Sequence, residues 1–215
     1  MTVPNLTERY LSVRNTIPLH VSLVAVSKFH PLEAIQQVYD AGQHIFGENR
    51  VQEMMEKQPL LPKDIEWHLI GNLQSNKVKY IAPFVSLIHS VDSIKLLAEI
   101  DKQAKKNNRV IDCLLEVYIA KEESKHGFSL HEVDAFLNTY SPLPNAHITG
   151  LMGMATNTSD TEQVRNEFRS LATLYKKYQQ ALGFKHLSMG MSSDYSVAIE
   201  EGSNMVRIGS SIFKG

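Results

Sequence analysis

Apolar positions along the chain follow two rhythms in turn, one of a buried strand and one of an amphipathic helix. Residues 2–17 carry Leu6, Tyr10, Val13 and Ile17 at helical spacing, which predicts a first helix. The β-branched run VSLVAVS (21–27) predicts a strand; Pro31 opens the following helix at its first position and Gly42 closes it. A short strand at 44–46 precedes a helix from about Arg50. IEWHLIG (65–71) reads as a third strand with a helix from Leu73 to Tyr80, and SLIH (86–89) as a fourth. Asp92 then caps a helix with Ile94, Leu97, Ile100 and Ala104 on one face. IDCLLEVYI (111–119) is the fifth strand, with a helix over 129–138, and HITGLM (147–152) is the sixth. A capping box from Ser159 to Glu162 opens the clearest helix, striped by Val164, Phe168, Leu171, Tyr175 and Tyr178 and ended by Gly183. KHLSM (185–189) and NMVRIG (204–209) supply two last strands around a helix at 194–201.

Eight strands separated by helices mean a parallel sheet, open or closed. In 215 residues they suit an α/β protein built as a single (β/α)8 TIM-type barrel, somewhat short of the ~250 residues typical of that fold. A doubly wound open sheet is the alternative, but no glycine-rich dinucleotide turn follows the first strand. No linker, repeat or low-complexity segment interrupts the alternation, so residues 1–215 are read as one domain.

Charge changes the picture only by exclusion. Lys and Arg number 22 against 23 acids, a net charge of −1, so no basic field exists to hold a nucleic-acid backbone or an anionic membrane. The basic run from Lys102 to Arg109 ends a predicted helix and complements its dipole. No stretch approaches the ~18 apolar residues of a membrane span, and the N-terminus lacks an apolar signal core. The single cysteine, Cys113, lies in an apolar run and reads as a buried core residue, which points to a reducing, cytoplasmic setting. The nine histidines show no metal-binding spacing.

Three features carry chemistry. Lys28 shares strand parity with Val24 and Val26 at the end of the first strand, which in a barrel faces the active-site mouth. An amine held among apolar neighbours loses its proton more readily and attacks aldehydes; a lysine that snorkels to water is the ordinary alternative. Next, LSMGMSSDYSVAIEEG (187–202) and MVRIGSS (205–211) each place glycine and serine after a strand. Loops after the seventh and eighth strands of barrels frequently share a phosphate, although turn and capping chemistry uses the same residues. Finally, Arg207 sits in a very apolar run, shares parity with Met205, and needs an acceptor such as a pyridine nitrogen or a carboxylate. An imine-forming lysine, a phosphate cradle and a ring-nitrogen donor together describe a pocket for pyridoxal 5′-phosphate (PLP).

The segments VAVSK, IFGENRVQE, WHLIGNLQSNK, SVDS, GLMGM and LSMGMSSDYSVAIEEGSNMVRIGSSIF resemble the pyridoxal phosphate homeostasis proteins, relatives of the barrel domain of alanine racemases. The resemblance spans the whole chain and implies a fold-type III PLP barrel without the additional β domain of the racemases. It implies that Lys28 holds the cofactor as an imine, that Ser192, Gly209 and Ser210 contact the phosphate, and that Arg207 meets the ring nitrogen. Asn49 matches a position that lines the pocket. The ending SIFKG departs from the pattern at Lys214, where glycine usually follows directly. His68 is expected to be a hydrogen-bonded core residue rather than a pocket residue, and Lys125 in ESKHGF a solvated loop lysine or a second cofactor contact.

Proteins of the resembling family are regarded as carriers of the cofactor pool, so the expectation is a non-catalytic, monomeric PLP carrier. Apo forms of PLP-dependent enzymes are its expected recipients. A PLP-dependent racemase needs a second base, which alanine racemases take from a further β domain; the chain ends a few residues after its eighth strand. A cofactor-free aldolase using Lys28 directly is the third reading and predicts a colourless protein.

Overall fold

A computed structural model describes residues 4–121 and 127–214. Eight strands close into a parallel barrel: β1 (Ser22–Val26), β2 (Ile45–Glu48), β3 (Glu66–Leu69), β4 (Leu87–Val91), β5 (Ile111–Tyr118), β7 (Ala146–Met154), β8 (His186–Ser188) and β9 (Met205–Ile208). Their order is β4-β3-β2-β1-β9-β8-β7-β5, and β4 pairs with β5 to seal the ring. The barrel expected from the alternation is therefore the fold observed. A two-residue strand, β6 (Phe128–Ser129), was not anticipated. It pairs with Val117 and Tyr118 of β5, beyond the point where β4 ends opposite Leu115.

The barrel wall divides two apolar populations, as strand alternation requires. Val24, Leu87, Leu114, Met152 and Met205 fill the bore, with Ile45 and Ile70 packed against them. Leu23, Ala25, Phe46, Trp67, Cys113 and Leu115 belong to the larger core between the wall and the surrounding helices. Cys113 is buried, and that burial pushes its thiol far above the ordinary range, so it is an inert core residue.

Outside the wall lie α1 (Leu6–Thr16), α2 (Leu32–Asp40), α3 (Val51–Lys57), α4 (Val78–Ile81), α5 (Ile94–Lys106), α6 (Leu130–Asn138), α7 (Thr161–Leu182), α8 (Tyr195–Glu200) and α9 (Ser210–Phe213). Several boundaries differ from the sequence reading. Ser93, not Asp92, caps α5 through the Leu96 N–H, and Ile94 in its first turn is 56% exposed. Asp160, not a Ser159–Glu162 box, caps α7 through Gln163 N–H. The helix expected from Leu73 to Tyr80 is only a 3-10 turn (Ser75–Lys77) and the single turn of α4. Gly71 explains the short start: a Cβ there would lie 2.4 Å from the Asn49 carbonyl oxygen, so the chain after β3 is held against the end of β2 before it can coil.

Candidate functional site

Strand register decides which loops meet. Ala25 of β1 stands opposite Phe46 of β2 and Ile208 of β9. Ser188 of β8 stands opposite Met205 of β9. The segments leaving β1, β2, β8 and β9 therefore lie together at the C-terminal end of the barrel, the end at which barrel enzymes place their chemistry. Lys28 leaves β1, Asn49 leaves β2, Ser192 follows β8, and Gly209 with Ser210 follows β9.

Lys28 lies two residues beyond Val26, in the turn after β1 rather than within the strand, and is half-buried. Asn49 follows Glu48 directly and is half-buried as well. Gly209 approaches β1 so closely that a Cβ would stand 3.0 Å from both the Val26 Cβ and its carbonyl oxygen. Its φ of −124° is ordinary, so glycine is required here by space rather than by backbone angle. Ser210 is exposed and starts α9; Ser192 is half-buried in the turn before α8. Asp194 folds back to accept the Met191 N–H at 2.6 Å, which shapes that turn. The Arg207 N–H donates to the Gly190 carbonyl at 3.0 Å, tying the loop after β8 to β9.

Arg207 is 4% exposed, with its guanidinium among bore residues. Nη1 donates to the carbonyl and hydroxyl oxygens of Ser188 at 2.9 and 2.5 Å, and Nη2 donates to the Gly153 carbonyl at 3.1 Å. A guanidinium has five N–H groups, so these three bonds leave donors to offer a ligand. Burial lowers its pKa to about 10, partly offset by Asp194 and Glu116; the group stays charged at neutral pH.

Sequence reasoning missed what lies behind Arg207. His89 Nδ1 lies 3.0 Å from the Ser188 hydroxyl, and His89 Nε2 lies 3.0 Å from His68 Nδ1. The Ser188 hydroxyl accepts from Arg207, so its own proton is available to His89, and His89 can pass the same polarity to His68. Burial drives the pKa of His68 down to about 3 and that of His89 well below the usual value, keeping both rings neutral. The expectation that His68 is a hydrogen-bonded core residue is met. The parity of His89 with Leu87, and of Ser188 with His186, was the available signal. A cavity of about 170 Å³ opens near the foot of this thread, lined by His68, Asp112, His186 and Glu66 among others.

Lys214 is exposed, and its N–H donates to the Ser210 carbonyl at 3.1 Å, so the altered ending still closes α9. Lys125 falls outside the described residues. Among the described residues no cluster of three or more His, Cys, Asp or Glu is placed to hold a metal, and no helix is long and apolar enough to cross a membrane.

The family described as "Alanine racemase, N-terminal domain" matches residues 2–215. Curated relatives named pyridoxal phosphate homeostasis protein include one from Aquifex aeolicus, 44% identical over 194 residues, covering 89% of this chain and 85% of the relative. One from Vibrio alginolyticus is 41% identical over 202 residues, covering 91% and 87%. The chain belongs to the alanine racemase N-terminal domain family, among the pyridoxal phosphate homeostasis proteins. Within that family, PipY from Synechococcus elongatus, solved with PLP bound, superposes with a TM-score of 0.89 at 38% identity, over 97% of this chain and 100% of PipY. The alanine racemase of Bartonella henselae shares the fold at a TM-score of 0.76 and 14% identity, with 58% of its chain covered.

Proposed function

We propose that this protein binds PLP reversibly through Lys28 and supplies it to apo-enzymes, without substantial catalysis of its own. The observation that carries the reading is the strand register, which gathers an amine, two hydroxyl-bearing loops and a buried guanidinium at one end of the barrel. That donor set fits the cofactor, and the space at Gly209 keeps the loop after β9 close to the turn of Lys28. Family relatives named for PLP homeostasis, and PipY with PLP bound, support the same ligand.

PLP would supply an electrophilic aldehyde for reversible covalent attachment, and Lys28 would be the residue that holds it through its side-chain amine. Ser192 and Ser210 hold the phosphate through their hydroxyls, where hydrogen bonds to a charged group contribute ~1.5–3 kcal/mol each. Gly209 lets the backbone approach that anion, and Asn49 lines the pocket from β2. Arg207 donates to the ring nitrogen. Because its own proton is retained at neutral pH, that nitrogen stays unprotonated and the ring is a weak electron sink. This favours holding the cofactor over carbanion chemistry. The same reading takes residues 1–215 as one barrel domain acting as a monomer in the cytoplasm.

The purified protein is expected to carry PLP, and hydride trapping followed by peptide mapping is expected to mark Lys28. Lys28→Ala removes the covalent absorption band, and Ser192→Ala with Ser210→Ala accelerates cofactor loss about a hundredfold or more. Adduct at another lysine in the wild-type protein overturns the assignment of Lys28. Delivery is tested by reactivating an apo-enzyme while a scavenger removes free PLP. Amino-acid racemisation, transamination or decarboxylation at ~1–10³ per second defeats the carrier reading.

A further inference from the structure

We infer that Glu53 and Lys57 of α3, together with Glu48 of β2, form a clamp on the outer side of the barrel wall that positions Lys28 for covalent capture. The inference rests on the reading of Lys28 as the cofactor lysine, and it assigns roles to three residues that do not touch the cofactor.

The peptide groups on either side of Lys28 are both held from α3. Lys57 Nζ donates to the Ser27 carbonyl at 2.8 Å, and the Phe29 N–H donates to Glu53 Oε1 at 2.6 Å. The same lysine donates to Glu53 Oε1 at 2.6 Å and to Glu48 Oε1 at 2.8 Å, so the two anchors are one unit. The Ser27 hydroxyl also donates to Glu48 Oε1 at 2.6 Å. Ser27 N–H and His30 N–H complete the turn by donating to Gly47 and Ser27 carbonyls.

Two features are hard to explain as stability alone. Phe29 has φ of +66°, a left-handed conformation that costs a bulky residue on the order of 1–3 kcal/mol. Such a residue persists where its surroundings over-determine it, and Glu53 supplies that hold through the Phe29 amide. Phe29 itself is 68% exposed, so core packing of the ring does not. Second, Glu48 is fully buried and Lys57 nearly so, and Glu48 Oε2 has no partner among the described residues. A buried ion pair with an orphaned oxygen stabilises no better than apolar residues of the same volume. What the charged pair provides, and apolar residues do not, is a donor aimed at the Ser27 carbonyl and an acceptor aimed at the Phe29 amide. The Lys57 amine is committed to three acceptors, which leaves Lys28 as the nucleophile of this turn.

The full-length protein, stripped of cofactor, tests the clamp through Glu53→Ala, Glu53→Gln and Lys57→Met. Hydrogen exchange at the Phe29 amide and the rate of covalent capture of added PLP are read alongside the melting temperature. Glu53→Ala is expected to expose the Phe29 amide and slow capture about ten- to a hundredfold. Glu53→Gln keeps an acceptor at the same place and is expected to rescue both to within about threefold. Lys57→Met frees the Ser27 carbonyl and is expected to slow capture even if Glu53→Ala fails to fold. Capture at the wild-type rate in both Glu53→Ala and Lys57→Met overturns the clamp. So does a Phe29 amide that exchanges freely in the wild-type protein while hydride trapping still marks Lys28. Trapping at a different lysine instead overturns the reading of Lys28, and the clamp's purpose with it.

Discussion

Arg207 shows how much a single side chain reveals when its surroundings contradict its chemistry. A guanidinium within MVRIG demands acceptors, and its place in the bore, two residues after Met205, follows from strand alternation. Its actual acceptors, Ser188 and Gly153, come from β8 and β7, and no local pattern announces them. His68 and His89 behave alike: each is readable as a strand residue, but their bond joins strands 21 residues apart in sequence. The pair has a consequence for acid stability. In the folded chain His68 takes a proton only near pH 3, whereas an unfolded histidine does so near 6.5. Between those values the unfolded state binds more protons, so stability falls as pH drops through that window. The slope approaches ~1.4 kcal/mol per pH unit for a histidine fully neutral when folded. Urea unfolding of wild type and of His68→Asn, which keeps an acceptor for His89, measures it between pH 7 and 5. The variant is expected to show the shallower loss, by about 1 kcal/mol per pH unit averaged over that range. His186, whose pKa is also lowered by burial, and Glu48, whose pKa burial raises, are present in both proteins and cancel in the difference. Equal slopes would mean that His68 is protonated in the folded state.

At the scale of elements, hydrophobic rhythm located all eight barrel strands, because a strand buried on both faces leaves a run that few other structures leave. Helix ends were less legible. The caps of α5 and α7 each shifted by one residue because Asp, Ser and Thr cluster there, and the side chain that captures the free N–H is chosen by backbone geometry. The two-residue β6 has no rhythm to read; it exists because β5 outlasts β4. A second unannounced feature lies where β7 meets its neighbours. Register along β5 slips between Cys113 and Leu114, so that Ile148 and Gly150 face consecutive residues. A Cβ on Gly150 would fall 1.8 Å from the His186 carbonyl oxygen, within the backbone of β8. Gly150→Ala must therefore force β7 and β8 apart, and a loss of about 3 kcal/mol or more is expected, at the upper end of overpacking costs. Gly209→Ala meets the Val26 Cβ and carbonyl oxygen at 3.0 Å, a milder clash that the loop or the end of β1 must relieve by tenths of an ångström. It is expected to lose about 1 kcal/mol of stability while releasing PLP several-fold faster. Thermal unfolding of the two variants, with cofactor retention for the second, separates a barrel-closing glycine from a loop-placing one.

Across the whole molecule, the barrel separates what holds it together from what it does. An apolar layer of Val24, Leu87, Leu114, Met152 and Met205 fills part of the bore, with Arg207 and the polar thread behind it beside that layer, while the other proposed ligand groups sit on segments leaving the C-terminal ends of adjacent strands. Loops at that end change without disturbing the layers beneath, which is how one fold supports both alanine racemases and proteins named for PLP homeostasis. The division makes opposite demands on two substitutions. Leu114 is fully buried in the bore cluster, and Leu114→Ala leaves a cavity among Val24, Leu87, Met152 and Met205. It is expected to cost ~2–5 kcal/mol of unfolding free energy, as buried leucines do. Molecules that remain folded should still capture and retain PLP as wild type does, since Leu114 lies in the middle of β5, four residues before the end of the strand. Ser210 is exposed, so Ser210→Ala should leave the unfolding midpoint in the absence of cofactor within about 0.5 kcal/mol of wild type. It should nonetheless release PLP roughly tenfold faster, since a hydrogen bond to the phosphate is lost. Denaturant midpoints of the stripped proteins, paired with cofactor dissociation rates below the transition, draw the two effects on independent axes. If Leu114→Ala sheds PLP as fast as Ser210→Ala while still fully folded, the bore transmits strain to the mouth, and the separation of scaffold from site is not a property of this barrel.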